Sequence, residues 1–176
     1  MNNRNHLNII GIETSCDDTA IGIVRSDKRI LSNVVINQNS NLSKYGGIVP
    51  EVAARDHLYN IDFAIKDALE KAKLKIENID LVTATGGPGL IGGVIVGTVF
   101  AKSLAMSLEK PYVAVNHLEG HALTARLSEN VSYPYLLLLV SGGHTQIIAV
   151  LGYGNYKRLS STLDDAAGET FDKAAK

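Results

Sequence analysis

Two histidines, His117 and His121, stand four residues apart in the stretch VAVNHLEGHALTA. On a helix, that spacing puts both imidazoles on one face a turn apart, where they could share one metal ion. Glu119 then falls on roughly the opposite side. This is therefore not the H-E-x-x-H arrangement of zinc peptidases, whose acid sits next to the first ligand. Two histidines also make an incomplete site, since a metal of catalytic type takes about three protein ligands and an open position. The alternative is structural: one histidine caps the helix and the other packs as a neutral partner.

Three further groups have side chains suited to chemistry. Glu13-Thr14-Ser15-Cys16-Asp17-Asp18-Thr19 brings Glu13, Asp17 and Asp18 to one polar turn. Carboxylates so placed could hold magnesium or its waters, because hard cations take oxygen ligands; an ordinary solvated hairpin is the other reading. Cys16 reads as a small buried residue rather than a nucleophile. Ser141-Gly142-Gly143-His144-Thr145 offers N–H and hydroxyl donors to phosphoryl oxygens, with His144 either donating to a ligand or fixing the turn. Thr85-Gly86-Gly87-Pro88-Gly89-Leu90 lacks both G-x-G-x-x-G at full quality and Gly-Lys-Ser/Thr. Its glycines serve either an anion or close packing of a helix.

These groups need elements to hold them. Leu7 to Ile12 (LNIIGI) and Ala20 to Val24 (AIGIV) read as a buried strand and its antiparallel return around the acidic turn, with Ile30 to Ile36 as a third strand. Asn37 to Pro50 has almost no periodicity and is expected as a loop. An apolar face recurs from Glu51 to Lys73, at Val52, Leu58, Ile61, Ala64, Ile65, Ala68 and Leu69, so a long helix is expected there. Pro50 is placed for its start. His57, in its early turns, is assigned to local hydrogen bonding rather than to a metal. Ile79 to Ala84 is strand-like and runs through the glycine turn into a helix over Val94 to Leu108. Tyr112 to Val115 is a short strand delivering the chain to His117, whose helix is expected to end near Ser128 to Asn130. Beyond it, Tyr135 to Val140 (YLLLLV) and Gln146 to Val150 (QIIAV) flank the Ser141 turn. A third strand is expected within Lys157 to Leu163, and an amphipathic helix begins within Asp164 to Lys176.

Strand, polar turn ending in Thr, return strand and third strand therefore occur twice. This suggests two lobes of one duplicated α/β design, residues 1–130 and residues 131–176, parting near Asn130 to Pro134. Hairpin tips facing one another across a cleft would make a nucleotide clamp. The second lobe, at only about forty residues, leaves an apolar sheet face uncovered, so the chain is expected to be the truncated front part of a longer protein.

Composition narrows the function classes. With 17 basic and 18 acidic residues the formal net charge is -1, which argues against binding nucleic acid by bulk charge. It leaves room for an enzyme that meets RNA briefly or through a partner. A single Cys and no CxxC give no disulfide framework. The start carries neither a secretory signal nor an Arg-rich presequence, and no apolar stretch reaches membrane-spanning length. A cytoplasmic protein with no membrane partner is expected.

Six stretches, GIETSCDDTA, YGGIVPEVAARDH, TGGPGLIGG, NHLEGH, LVSGGHT and DDAAGETFDK, occur in this order. Together they resemble the tRNA N6-adenosine threonylcarbamoyltransferase family, TsaD and its archaeal, eukaryotic and mitochondrial relatives, formerly described as O-sialoglycoprotein endopeptidases. The resemblance runs from Asn8 to Lys176 and covers about the first half of a typical member.

The resemblance implies the actin, sugar-kinase and heat-shock ATPase-like fold, a mixed sheet with flanking helices. It implies transfer of a threonylcarbamoyl group from threonylcarbamoyl-adenylate to N6 of adenosine 37 in tRNAs reading codons that begin with A. By the same resemblance His117 and His121 bind one divalent metal per subunit, commonly iron, with a further Asp ligand lying in the family's second half. Val140, Ser141, Gly142, Gly143, His144 and Asp172 match substrate-binding positions. Glu13, Asp17 and Asp18 remain candidate nucleotide or cation contacts, with Mg accompanying the nucleotide. No catalytic residue is assigned, since the adenylate arrives activated. The implied partners are threonylcarbamoyl-adenylate, tRNA and the proteins of a threonylcarbamoyl-transfer complex. An incomplete chain is expected to be inactive. A non-catalytic scaffold subunit of the same superfamily and a metallopeptidase are the alternatives.

Overall fold

The computed structural model describes residues 6–37 and 47–175. The loop expected over Asn37 to Pro50 lies largely outside them. The chain falls into two compact units, Met1–His117 and Leu118–Lys176.

The first unit is a five-stranded sheet in the order β3-β2-β1-β4-β5, formed by β1 (Asn8–Glu13), β2 (Asp18–Arg25), β3 (Ile30–Asn37), β4 (Leu81–Gly87) and β5 (Tyr112–Asn116). The first three strands are antiparallel neighbours, whereas β1, β4 and β5 run parallel. The alternation read from NIIGI and AIGIV has a direct cause: Ile10, Ile12, Ile21 and Ile23 all point to one face and are buried there. Two helices cover that face.

Helix α1 (Pro50–Ala72) starts with Pro in its first turn, where a missing N–H costs nothing. It ends at Lys73 in the left-handed region (φ 55°), whose amide donates to the Glu70 carbonyl at 3.0 Å. Its inward stripe is Ala53, His57, Ile61, Ala64, Ile65 and Ala68. Helix α2 (Ile91–Ser107) is apolar nearly all round and turns small residues, Gly93, Gly97, Ala101 and Ala105, toward the core. These side chains, with Val82 and Ala84 of β4, form one continuous core. Each fully buried Ile contributes roughly 1.5–3 kcal/mol.

The second unit is built from α3 (His117–Ser128), an antiparallel sheet β6-β7-β8 (Tyr135–Val140, Thr145–Gly152, Asn155–Ser161) and α4 (Ala167–Ala175). Ala122 of α3 packs with Leu139, Ile148 and Val150, and Leu118, Tyr133, Tyr135, Leu137 and Tyr156 close around them. The Tyr135 hydroxyl donates to the Ala122 carbonyl at 2.5 Å, and Tyr156 donates to Glu119 at 2.6 Å. These contacts fix α3 to its sheet, and the compact units part just after His117, its first residue. The opposite face of β6 leaves Leu136 and Leu138 70% and 67% exposed. Among the described residues no helix is long and apolar enough to cross a membrane.

Candidate functional site

The turn that carries the acidic residues, between β1 and β2, is held from below by the helices. Thr14 and Ser15 are buried, and the Thr14 hydroxyl donates to the Gly93 carbonyl at 2.8 Å. A Cβ on Gly93 would come within 2.1 Å of the Thr14 carbonyl oxygen, and one on Gly97 within 2.2 Å of the Thr14 hydroxyl. Gly89 is also tight, since its Cβ would meet Ser15 at 2.6 Å, and the Leu90 amide donates to the Ser15 carbonyl at 2.7 Å. Gly87 alone in this run needs the left-handed region (φ +130°). The glycines around TGGPGLIGG therefore let α2 and its leading loop approach the turn, which favours the packing alternative.

His57 supports the same turn. Its Nε2 lies 3.1 Å from the Cys16 carbonyl oxygen and its Nδ1 lies 2.8 Å from the Thr19 hydroxyl. A carbonyl only accepts, so Nε2 carries the proton and Nδ1 accepts from Thr19. Burial pushes the imidazole pKa down, against the pull of the Cys16 carbonyl and nearby carboxylates. This is the local hydrogen bonding expected from the sequence.

Glu13, the last residue of β1, sits at the centre of the site. Its Oε1 accepts from the Ser15 amide at 2.5 Å. Its Oε2 accepts from the Thr85 hydroxyl and lies 3.2 Å from Nδ1 of His117. The Ser15 hydroxyl also lies 3.2 Å from that nitrogen. Burial would raise the Glu13 pKa, but hydrogen bonds from His117, Ser15 and Thr85 together bring it down to about 2. The parallel register explains the meeting. Ile12 pairs Ala84, and Thr85 pairs Val115, so the carboxyl ends of β1, β4 and β5 deliver Glu13, Thr85 and His117 to one edge. The sheet face carrying Glu13 and Thr85 holds a hollow of about 290 Å³, lined also by Gly11, Gly22, Asn33 and Thr83.

The other residues of the acidic turn behave differently. Asp18 accepts from Asn37 at 2.8 Å, and burial with the neighbouring Asp17 carboxylate raises its pKa. Cys16 is exposed, which corrects the expectation of burial. The turn rolls its side chain outward while His57 holds its carbonyl inward. Partial desolvation and Asp17 push the thiol up to about 11, so it stays protonated near neutral pH.

Helix α3 begins on His117, so His117 and His121 occupy successive turns of one helix, as the spacing predicts. Among the described residues no group of three or more His, Cys, Asp and Glu is arranged to hold a metal ion. The two helical histidines, one anchored through Nδ1, fit a metal only as a partial ligand set.

In the second unit, Ser141 to His144 form a closed turn between β6 and β7. The Ser141 amide donates to the His144 carbonyl at 2.8 Å, and the His144 amide donates to the Ser141 hydroxyl at 3.0 Å. His144 thus takes part in fixing the turn through its backbone. A Cβ on Gly142 or Gly143 would meet nothing within 4 Å, and neither residue lies in the left-handed region. Gly143 is therefore not demanded by backbone strain. Val140 is 53% exposed at the strand end, and Asp172 is exposed on α4.

Sequence reasoning missed Gly168. A Cβ there would strike Gly142 Cα at 2.8 Å and the Ser141 carbonyl at 2.9 Å, so the start of α4 lies directly on the turn. The Thr145 hydroxyl accepts from the Ala167 amide at 2.8 Å and caps this helix. A lone glycine opening a helical pattern was the available signal. Between the sheet and α4 is a second hollow, about 420 Å³, lined by Thr145, Thr162, Asp165, Thr170 and Phe171.

The tRNA N6-adenosine threonylcarbamoyltransferase family, TsaD, matches residues 29–176. A tRNA N6-adenosine threonylcarbamoyltransferase of Rickettsia prowazekii (strain Madrid E) is 61% identical over 168 residues, 96% of this chain and 43% of that protein. One of Rickettsia bellii (strain OSU 85-389) is also 61% identical over 168 residues, 96% of this chain and 49% of that protein. The chain thus spans a little under half the length of these curated relatives. Among solved structures, YeaZ from Pseudomonas aeruginosa superposes with a TM-score of 0.58 at 17% identity, over 92% of this chain and 72% of that one. That likeness concerns fold alone: a mixed sheet flanked by helices.

Proposed function

The chain belongs to the tRNA N6-adenosine threonylcarbamoyltransferase family, and from that premise we propose that it supplies the metal-binding histidines and the first part of the substrate cradle of such an enzyme. The reaction is transfer of threonylcarbamoyl from threonylcarbamoyl-adenylate to N6 of adenosine 37 in tRNAs reading codons that begin with A. The N6 amine forms a bond to the carbamoyl carbon, the bond from that carbon to the phosphate oxygen breaks, AMP leaves, and the amine gives up a proton. A cytoplasmic setting, a tRNA substrate and companion proteins of a transfer complex belong to this reading.

In this reading His117 and His121 hold one divalent metal, iron in the first instance. When bound, that metal would supply Lewis-acid polarisation of a carbonyl or phosphoryl oxygen. The remaining ligand comes from the portion that relatives carry beyond the matched length. The turn Val140 to His144 and Asp172 receive the adenylate, and residues 131–176 are the start of a second lobe of the same design. The open space over Gly142 and Gly143 supports this, since a phosphoryl group can approach backbone there without displacing a side chain.

The observation that carries the proposal is the start of α3: two histidines in successive turns, the first anchored through Nδ1 by Glu13. A chimera tests it, with this chain replacing the matching part of the Rickettsia prowazekii relative. The chimera is expected to form threonylcarbamoyladenosine on tRNA, read by mass spectrometry of digested nucleosides. His117→Ala in the chimera is expected to lose both bound metal and product. Full product without bound metal would overturn the assignment.

A further inference from the structure

Glu13 has the chemistry of a cation or nucleotide contact, yet three donors converge on it from within the protein. The Ser15 amide occupies Oε1 at 2.5 Å, while the Thr85 hydroxyl and His117 Nδ1 share Oε2. A carboxylate has about four lone-pair sites, so most of its accepting capacity is committed.

We infer that Glu13 is a positioning residue for His117, fixing the imidazole with its proton on Nδ1 so that Nε2 presents the coordinating lone pair. The inference rests on the metal reading above. Its geometry is independent of that reading. A carboxylate oxygen only accepts, so the nitrogen 3.2 Å away donates to it, and the Ser15 hydroxyl at the same distance accepts a share of that proton. A neutral imidazole has one ring proton, and its place on Nδ1 leaves the lone pair on Nε2. Glu13 cannot follow the ring if the ring rotates, because the Ser15 amide and Thr85 hydroxyl hold the carboxylate from two other directions. The acid is therefore part of the sheet edge, and the histidine is aligned to it. A carboxylate behind a histidine ligand is a recurring way to fix the tautomer and raise the ligand's basicity.

The test uses the 176-residue chain and cobalt(II) as the probe. Calorimetric titration reads affinity, and long-range nitrogen–proton correlation spectra of the metal-free protein at neutral pH read the His117 tautomer. Wild type is expected to bind cobalt and to show the proton on Nδ1. Glu13→Ala should weaken binding roughly 10–100-fold and mix the tautomers, with Glu13→Gln recovering part of both. Thr85→Val, which leaves Glu13 and His117 in place, should move both readouts the same way by less. His121→Ala should lose cobalt yet keep the proton on Nδ1. A wild-type spectrum with the proton on Nε2 would overturn the inference, as would Glu13→Ala binding cobalt as tightly as wild type. A wild-type chain that shows the Nδ1 proton but binds no cobalt would overturn the metal reading itself, and the coordinating role with it.

Discussion

The hydroxyl of Thr19 donates to Nδ1 of His57 at 2.8 Å, tying the second residue of β2 to the inner face of α1. The bond requires an imidazole unprotonated at that nitrogen, because the other nitrogen spends its proton on the Cys16 carbonyl. Protonating His57 turns Nδ1 into a donor, which the Thr19 hydroxyl can accept only by reorienting, and it also buries a charge.

A pH dependence follows. The His57 pKa in the folded protein lies below its ordinary 6.5, so the unfolded chain takes up the proton first. The contribution is fully present above about pH 6.5 and shrinks as pH falls from there through the lowered folded value. Urea midpoints measured from pH 7.5 to 5 should decline with acidity. His57→Ala should cost roughly 2–4 kcal/mol at pH 7.5 and flatten that part of the profile. An unchanged slope in the variant would show that another group controls it.

Glycine positions on α2 and β2 should respond in opposite ways. Gly93→Ala places a methyl 2.1 Å from the Thr14 carbonyl oxygen, forcing helix and turn apart at a cost of about 1–3 kcal/mol. Gly22→Ala faces open space and should lie within about 1 kcal/mol of wild type, on the stabilising side if the unfolded chain loses freedom. Denaturant unfolding of the two variants checks the contrast. Equal effects would mean that the close approach of α2 is not what holds the turn.

At the Ser141 turn, stability and binding should separate. Gly143→Val meets no neighbour and no left-handed backbone, so its stability should stay within about 0.5 kcal/mol of wild type. If the turn cradles a phosphoryl group, that variant should still lose affinity for an adenylate analogue. Gly168→Val, outside the turn, should displace Ser141 and Gly142 and lower both. Calorimetry with ATP, beside thermal melts, distinguishes the two. Unchanged ATP affinity in Gly143→Val, where wild type binds, would remove the cradle.

Local elements were largely legible because their causes are local. The alternation in NIIGI and AIGIV, the recurring apolar face from Val52 to Leu69 and the break after Asn116 each act over a few residues, and each element lies where those signals put it. The third strand of the second unit was placed late, since Asn155–Ser161 is mostly exposed and leaves little alternation to read. What the sequence could not display is the meeting of Glu13 and His117. They are 104 positions apart, and only the parallel register of three strands brings them together. The tight glycines were partly legible: Gly93 and Gly97, four apart on an otherwise apolar helix, form one small stripe. Cys16 was misjudged because composition speaks of the average cysteine, whereas a turn decides which way a particular side chain points.

β6 is apolar on both sides, with Leu137 and Leu139 turned to the α3 side and Leu136 and Leu138 turned to solvent. A strand of that kind belongs to the middle layer of a structure rather than to its surface. For the isolated chain, the consequence is thermodynamic coupling to concentration. Any molecule that occupies the outward face only when the sheet is formed, a second copy included, draws the folding equilibrium toward the native state by mass action. Where such an occupant binds, the melting temperature of this unit rises with the occupant's concentration and is no fixed property of the chain.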